Sequence, residues 1–270
     1  MDRSQTVIRK VVDSLCKENG VAALVLAGSR VKGNRFSPDE FSDIELYIVA
    51  FDENFEEIKK KIQSIQETFV KKDVILAYKN QWAGWSVLFT DLLRLELPLV
   101  KSSDAEVFAR SKEQRIEILY SKPGFILKHG SIKKTNKIKS QERTMKEVVS
   151  DFWYMAVYAV QHIGRREIWI AREAVRISMQ GKVKRLLQEI YHKDTLVLEI
   201  DRRIELTWSK EELAILRETS CSYDRNDLIR SFWANVKYAK ELFIKLGDGD
   251  REFKKYEQEL TPKIKDILKK

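Results

Sequence analysis

The chain has 270 residues, 43% hydrophobic and 34% charged, which is enough apolar material for a sizeable core and too much charge for a protein embedded in lipid. Ten glycines and four prolines are too few for a disordered, collagen-like or turn-dense all-β chain and point to long helices with some strand. The net charge is +9; residues 1–120 are nearly balanced, with 18 basic and 19 acidic side chains, so the excess lies in 121–270. Such an asymmetry calls for an anionic partner, with nucleic acid, a membrane surface and a nucleoside triphosphate all admissible.

The first residues, MDRSQTVIRKVVDSL, carry charges where a signal peptide needs an apolar stretch, and no apolar run approaches a membrane span. Cys16 and Cys221 stand far apart without a ligand-spaced neighbour, which suggests neither a zinc site nor a disulfide framework. A cytoplasmic location is expected.

From Ser4 to Lys17, apolar residues at Val7, Ile8, Val11, Val12 and Leu15 mark one buried helical face, with Gly20 as its stop. Val21 to Ala27 reads as a buried strand ending at Gly28, and a polar loop with Gly33, Asn34, Ser37 and Pro38 follows. Asp43 to Ala50 is a second strand, 55–69 a helix, and 73–78, 85–90 and 92–100 further strands. After Pro123 the texture changes. Lys128 to Lys146 is a basic junction, 145–163 is apolar almost all round, and 166–192, 209–220, 224–246 and 250–269 continue with helical periodicity. The expected fold class is α+β: a mixed-sheet domain over 1–138, then a helical bundle over 139–270.

The stretch that carries chemistry is LVLAGSRVKGNRFSPDEFSDIELYIV, residues 24–49. A strand ends in Gly28-Ser29, and a second strand opens with Asp43-Ile44-Glu45, whose two carboxylates alternate onto one face. Two acids so placed repel each other unless a cation lies between them, and such an oxygen-rich pair suits Mg²⁺. Gly28 lets a phosphate approach the backbone, and Ser29 adds a hydroxyl and an N–H donor. In LLRLELPLV, residues 92–100, Glu96 is an acid within an apolar strand and needs a cation or a donor; a salt bridge to Arg94 is the plainer explanation. Gly28 and Gly33 lack the Lys-Ser/Thr of a P-loop, there is no GxGxxG or GxSxG, and His129, His162 and His192 are scattered.

Taken together, AGSR, FSDIELYIV, LRLELPLV and the helical stretch from Ser150 to Leu187 resemble the nucleotidyltransferase superfamily, and more narrowly the aminoglycoside 6-adenylyltransferases, also called streptomycin adenylyltransferases. The DIELYIV strand is also similar to that of lincosamide nucleotidyltransferases. The resemblance implies Mg²⁺-dependent transfer of a nucleoside monophosphate, AMP from ATP, to a hydroxyl of a small antibiotic, with release of pyrophosphate. It places phosphates at Gly28, Ser29 and Arg30, the metal at Asp43 and Glu45, and Glu96 either on the metal or as the base. The aminoglycoside enzymes commonly carry Asp where this chain has Glu45, which bears on the acceptor more than on the chemistry. Arg165 and Arg166 are candidate phosphate contacts, weighed against pairing with Glu167, and Trp82, Trp85 and Trp153 are candidate stacking groups, weighed against core packing. The sheet domain would carry the metal and the helical domain the basic groups, forming a cleft. Competing readings are a transferase acting on RNA or protein and, last, a non-catalytic nucleic-acid-binding module, which leaves the three acids without a purpose. No membrane partner is expected.

Overall fold

The computed structural model describes residues 2–34, 37–80, 84–108, 116–127, 143–192, 204–247 and 249–270. The chain divides into two compact units, Met1–Glu142 and Arg143–Lys270. The expected boundary at 138–139 and the junction lysines Lys133, Lys134, Lys137 and Lys139 lie outside the described residues.

Among its described residues the first unit forms a seven-stranded mixed sheet: β1 (Val21–Ala27), β2 (Ile44–Ala50), β3 (Val74–Lys79), β4 (Trp85–Phe89), β5 (Arg94–Leu97), β6 (Leu99–Lys101) and β7 (Glu117–Ser121). Spatial order is β3-β4-β5-β2-β1-β7, with β6 also paired to β2. The β1–β2 pair is antiparallel, whereas β2 runs parallel to β5 and β6. The expected strand over 92–100 is thus two strands in one register, broken at Pro98, which has no N–H to give the ladder; its carbonyl still accepts from Ile48 N at 2.9 Å.

Helices α1 (Arg3–Leu15) and α2 (Phe55–Gln63) cover one face. Asp2 caps α1 by accepting from Ser4 N at 3.3 Å. Val7, Ile8, Val11 and Leu15 then pack with Ile58 and Ile62 on Leu24, Leu26, Ile44, Leu46 and Ile48. The opposite face has a smaller cluster, Ala23, Val25 and Val49 beside Tyr47. Because side chains alternate, Glu45 belongs to the Tyr47 side, away from the helices.

Gly84 enters β4 where the chain crosses β5, and a Cβ there would lie 1.8 Å from the Leu97 carbonyl oxygen and 2.9 Å from Pro98 Cα. Both obstacles are backbone, so no side chain can yield. Gly84→Ala is expected to lose about 3 kcal/mol or more of sheet-unit stability, read as a lowered urea midpoint.

The second unit is helical: α3 (Met145–Gly164), α4 (Ile168–Glu173), α5 (Gly181–Tyr191), α6 (Ile204–Thr207), α7 (Lys210–Thr219), α8 (Arg225–Leu246) and α9 (Asp250–Lys269). Thr144 and Glu147 form a capping box that starts α3. Phe152 and Trp153 of α3 are buried with Phe243 of α8 and Phe253 of α9, so Trp153 is core. Residues Ala174–Gln180, inside the helical periodicity of 166–192, form a π-helical segment between α4 and α5. No helix among the described residues is long and apolar enough to cross a membrane.

Candidate active site

The turn after β1, the start of β2 and β5 meet through register. Ala27 lies opposite Glu45 on β2, and Glu45 lies opposite Glu96 on β5. Asp43 precedes Glu45 by two positions, and Arg94 precedes Glu96 by two. The sheet therefore gathers Asp43, Glu45, Arg94 and Glu96 on one face, from segments about fifty residues apart.

Gly28 sits at the head of this group with φ +78°, a left-handed conformation that glycine adopts without a Cβ penalty. A Cβ at Gly28 would stand 3.4 Å from Glu45 Oε2. That is ordinary van der Waals contact, so the left-handed backbone rather than lack of space is what calls for glycine here. Ser29 follows it in the same single turn, Gly28–Arg30.

Arg94 is buried, with a side chain 3% exposed, and reaches two of the acids: Nη2 donates to Asp43 Oδ2 at 2.8 Å, and Nη1 lies 3.9 Å from Glu96 Oε1. Asp43 and Glu96 are 22% and 29% exposed. The closer partner of Arg94 is therefore Asp43, where the sequence suggested Glu96.

Glu45 is half-buried and has no hydrogen bond or ion pair among the described residues. Burial, then the neighbouring Asp43 and Glu96 carboxylates, push its pKa from 4.5 up to about 7, against the opposing pull of Arg94. Arg94 thus offers its single positive charge to Asp43 and Glu96 within this group of three carboxylates. Among the described residues no group of three or more His, Cys, Asp or Glu side chains is arranged to hold a metal ion. A hard divalent cation such as Mg²⁺ does not require one, since it takes one or two carboxylates and completes its shell with water and phosphate oxygens. The Asp43–Glu45 pair fits that requirement.

The remaining sequence candidates lie in other settings. Arg30 is 10% exposed; its guanidinium donates to the Asp43 carbonyl at 2.8 Å, to Ser4 Oγ at 2.8 Å and to the Ser42 carbonyl. It ties the entry of β2 to the start of α1. Arg165 closes α3 and pairs with Glu167 at 3.8 Å, while Arg166, exposed, takes φ +60° in the following turn. His162 pairs with the same Glu167 and His192 with Glu212. Trp85 is half-buried on β4, and Trp82 lies outside the described residues. The sequence sets Arg94 beside Glu96 on one strand face but gives no sign of its contact with Asp43, which depends on the parallel β2–β5 register.

The family model for streptomycin adenylyltransferase matches residues 1–261. The chain belongs to the streptomycin adenylyltransferase family. It is an enzyme of the nucleotidyltransferase class with the α+β fold expected of it. An aminoglycoside 6-adenylyltransferase from Bacillus subtilis (strain 168) is 22% identical over 195 residues, spanning 69% of this chain and 68% of that protein. The crystal structure of an aminoglycoside 6-adenyltransferase from Bacillus subtilis aligns over 99% of both chains at 17% identity with a TM-score of 0.39.

Proposed function

We propose that this family member transfers AMP from ATP to a hydroxyl group of an aminoglycoside, releasing pyrophosphate, at the carboxylate group on the sheet face. The observation that carries the chemistry is the unpartnered Glu45 carboxylate between Asp43 and Glu96, beside the Gly28–Ser29 turn. The acceptor class rests on the family and on the name of the curated relative.

In this reading Asp43 and Glu45 hold Mg²⁺, which when bound supplies charge neutralisation on the triphosphate. Gly28 and Ser29, in the single turn Gly28–Arg30, offer backbone N–H groups and a hydroxyl to the phosphates. Glu96 is the base. Its carboxylate is partly exposed and lies 3.9 Å from the Arg94 guanidinium, placed to accept the proton of the attacking hydroxyl. Because phosphoryl-type transition states carry charge spread over oxygen atoms, positioning and electrostatics supply most of the rate.

Pyrophosphate release, followed across streptomycin, other aminoglycosides, lincosamides and total RNA with ATP and Mg²⁺, tests the reading. Turnover is expected with an aminoglycoside and to be absent with RNA. Turnover with lincosamides alone would overturn the acceptor and keep the chemistry; release with none of them, in a protein whose melting temperature ATP and Mg²⁺ leave unchanged, would overturn both.

A further inference from the structure

Among the described residues of the sheet unit, Arg94 is the one charged side chain that is buried. A guanidinium taken out of water needs counter-charge and fixed geometry. It has both, with one arm on Asp43 Oδ2 at 2.8 Å and the other 3.9 Å from Glu96. Glu45, the second acid of the pair that fits a divalent cation, receives no such contact. The arrangement is therefore lopsided: one acid of the pair is already engaged by a permanent cation, and its neighbour is left open.

A divalent cation entering between Asp43 and Glu45 meets two opposing effects. The carboxylates attract it, while the fixed positive charge of Arg94 repels it and holds one Asp43 oxygen. Arginine remains charged at any working pH, so this opposition persists. A triphosphate arriving with the metal brings several negative charges, which outweigh one guanidinium.

We propose that Arg94 is a positioning residue that holds Asp43 and keeps the carboxylate pair from binding a free divalent cation tightly, so that metal is taken up together with the nucleotide. The proposal rests on the assignment of Asp43 and Glu45 to the metal. In this role Arg94 touches neither substrate nor metal and acts through Asp43 and Glu96.

The test uses the full chain with Mn²⁺ as the probe, free Mn²⁺ being followed by electron paramagnetic resonance at pH 8, with and without a non-hydrolysable ATP analogue. Arg94→Met is expected to bind Mn²⁺ about tenfold tighter than wild type in the absence of nucleotide, to gain less from the analogue, and to lose kcat with little change in the KM for ATP. Arg94→Lys, charged but unable to fork across both acids, is expected to fall between the two in Mn²⁺ affinity and to recover part of kcat. A merely structural residue would weaken Mn²⁺ binding along with stability. Arg94→Met that melts like wild type yet binds Mn²⁺ no more tightly overturns the proposal. If that variant does not fold, Arg94→Lys decides, and affinity equal to or weaker than wild type overturns it. Asp43→Asn separates the two claims. If it abolishes Mn²⁺ binding in the presence of the analogue while the Arg94 variants fail their expectation, the metal assignment stands and only the Arg94 role falls; if Asp43→Asn binds Mn²⁺ like wild type, both fall.

Discussion

Replacing Glu45 by glutamine is expected to stabilise the metal-free protein above pH 7 while reducing adenylyl transfer roughly a thousandfold. The folded-state pKa of Glu45 is raised from 4.5 to about 7, so the native state binds a proton more readily than the unfolded chain. The associated stability is fully present below pH 4.5 and is lost as pH climbs through 7. Above that, holding Glu45 ionised among Asp43 and Glu96 costs up to about 3 kcal/mol, from the size of the shift. Glutamine keeps the shape and removes the charge. Melting curves in chelator are therefore expected to coincide near pH 4.5 and to separate by several degrees at pH 8, with the variant higher. A wild type whose melting temperature does not fall, relative to Glu45→Gln, between pH 5 and pH 8 would contradict the crowding of charge on this face.

Asp43→Asn is expected to abolish activity to a similar extent with the opposite effect on stability. Asp43 is the close partner of buried Arg94 at 2.8 Å, and removing one member of such a pair leaves a charge with poor compensation. Glu96 at 3.9 Å recovers part of the loss, and the partial exposure of Asp43 reduces it further, so a cost on the order of 2–3 kcal/mol is expected at neutral pH. The measurement is a denaturant midpoint beside a pyrophosphate-release assay. Two carboxylates two residues apart, both proposed to hold the metal, are thus expected to differ in the sign of their contribution to folding. Equal destabilisation by both substitutions would contradict the pairing of Arg94 with Asp43.

What the sequence made legible is the part that local pattern controls. The apolar run Val21–Ala27, the Gly-Ser turn and the alternation of DIELYIV place Asp43 and Glu45 on one face, and helical periodicity marks α3, α8 and α9. What it left hidden depends on contacts between distant segments. The parallel pairing of β2 with β5 brings Glu96 level with Glu45 and Arg94 within reach of Asp43, and no local spacing encodes that register. Arg30, next to Gly28-Ser29 in the chain, donates to the Ser42 and Asp43 carbonyls, contacts across the loop that no local spacing announces. Strand β7, Glu117–Ser121, gave no expectation because its residues are half-buried or exposed and lack a clear apolar alternation. The π-helical segment Ala174–Gln180 shares its periodicity with the helices on either side and so has no separate signature.

The ion pair between Arg94 and Asp43 closes a loop of 51 residues, and this bears on how the molecule is made. Between them lies the β3–β4 hairpin, which closes a short loop and can form by itself at little entropic expense. The β2–β5 pairing is parallel and remote, a kind of contact that forms slowly because chain entropy must be surrendered before any interaction is gained. The hairpin is the natural carrier, delivering β5 to the edge of β2 as a preassembled unit. Until that docking, Asp43 and Glu45 stand without the Arg94 guanidinium, so on the proposal above a nascent or partly unfolded chain would hold a free divalent cation more tightly than the folded protein does.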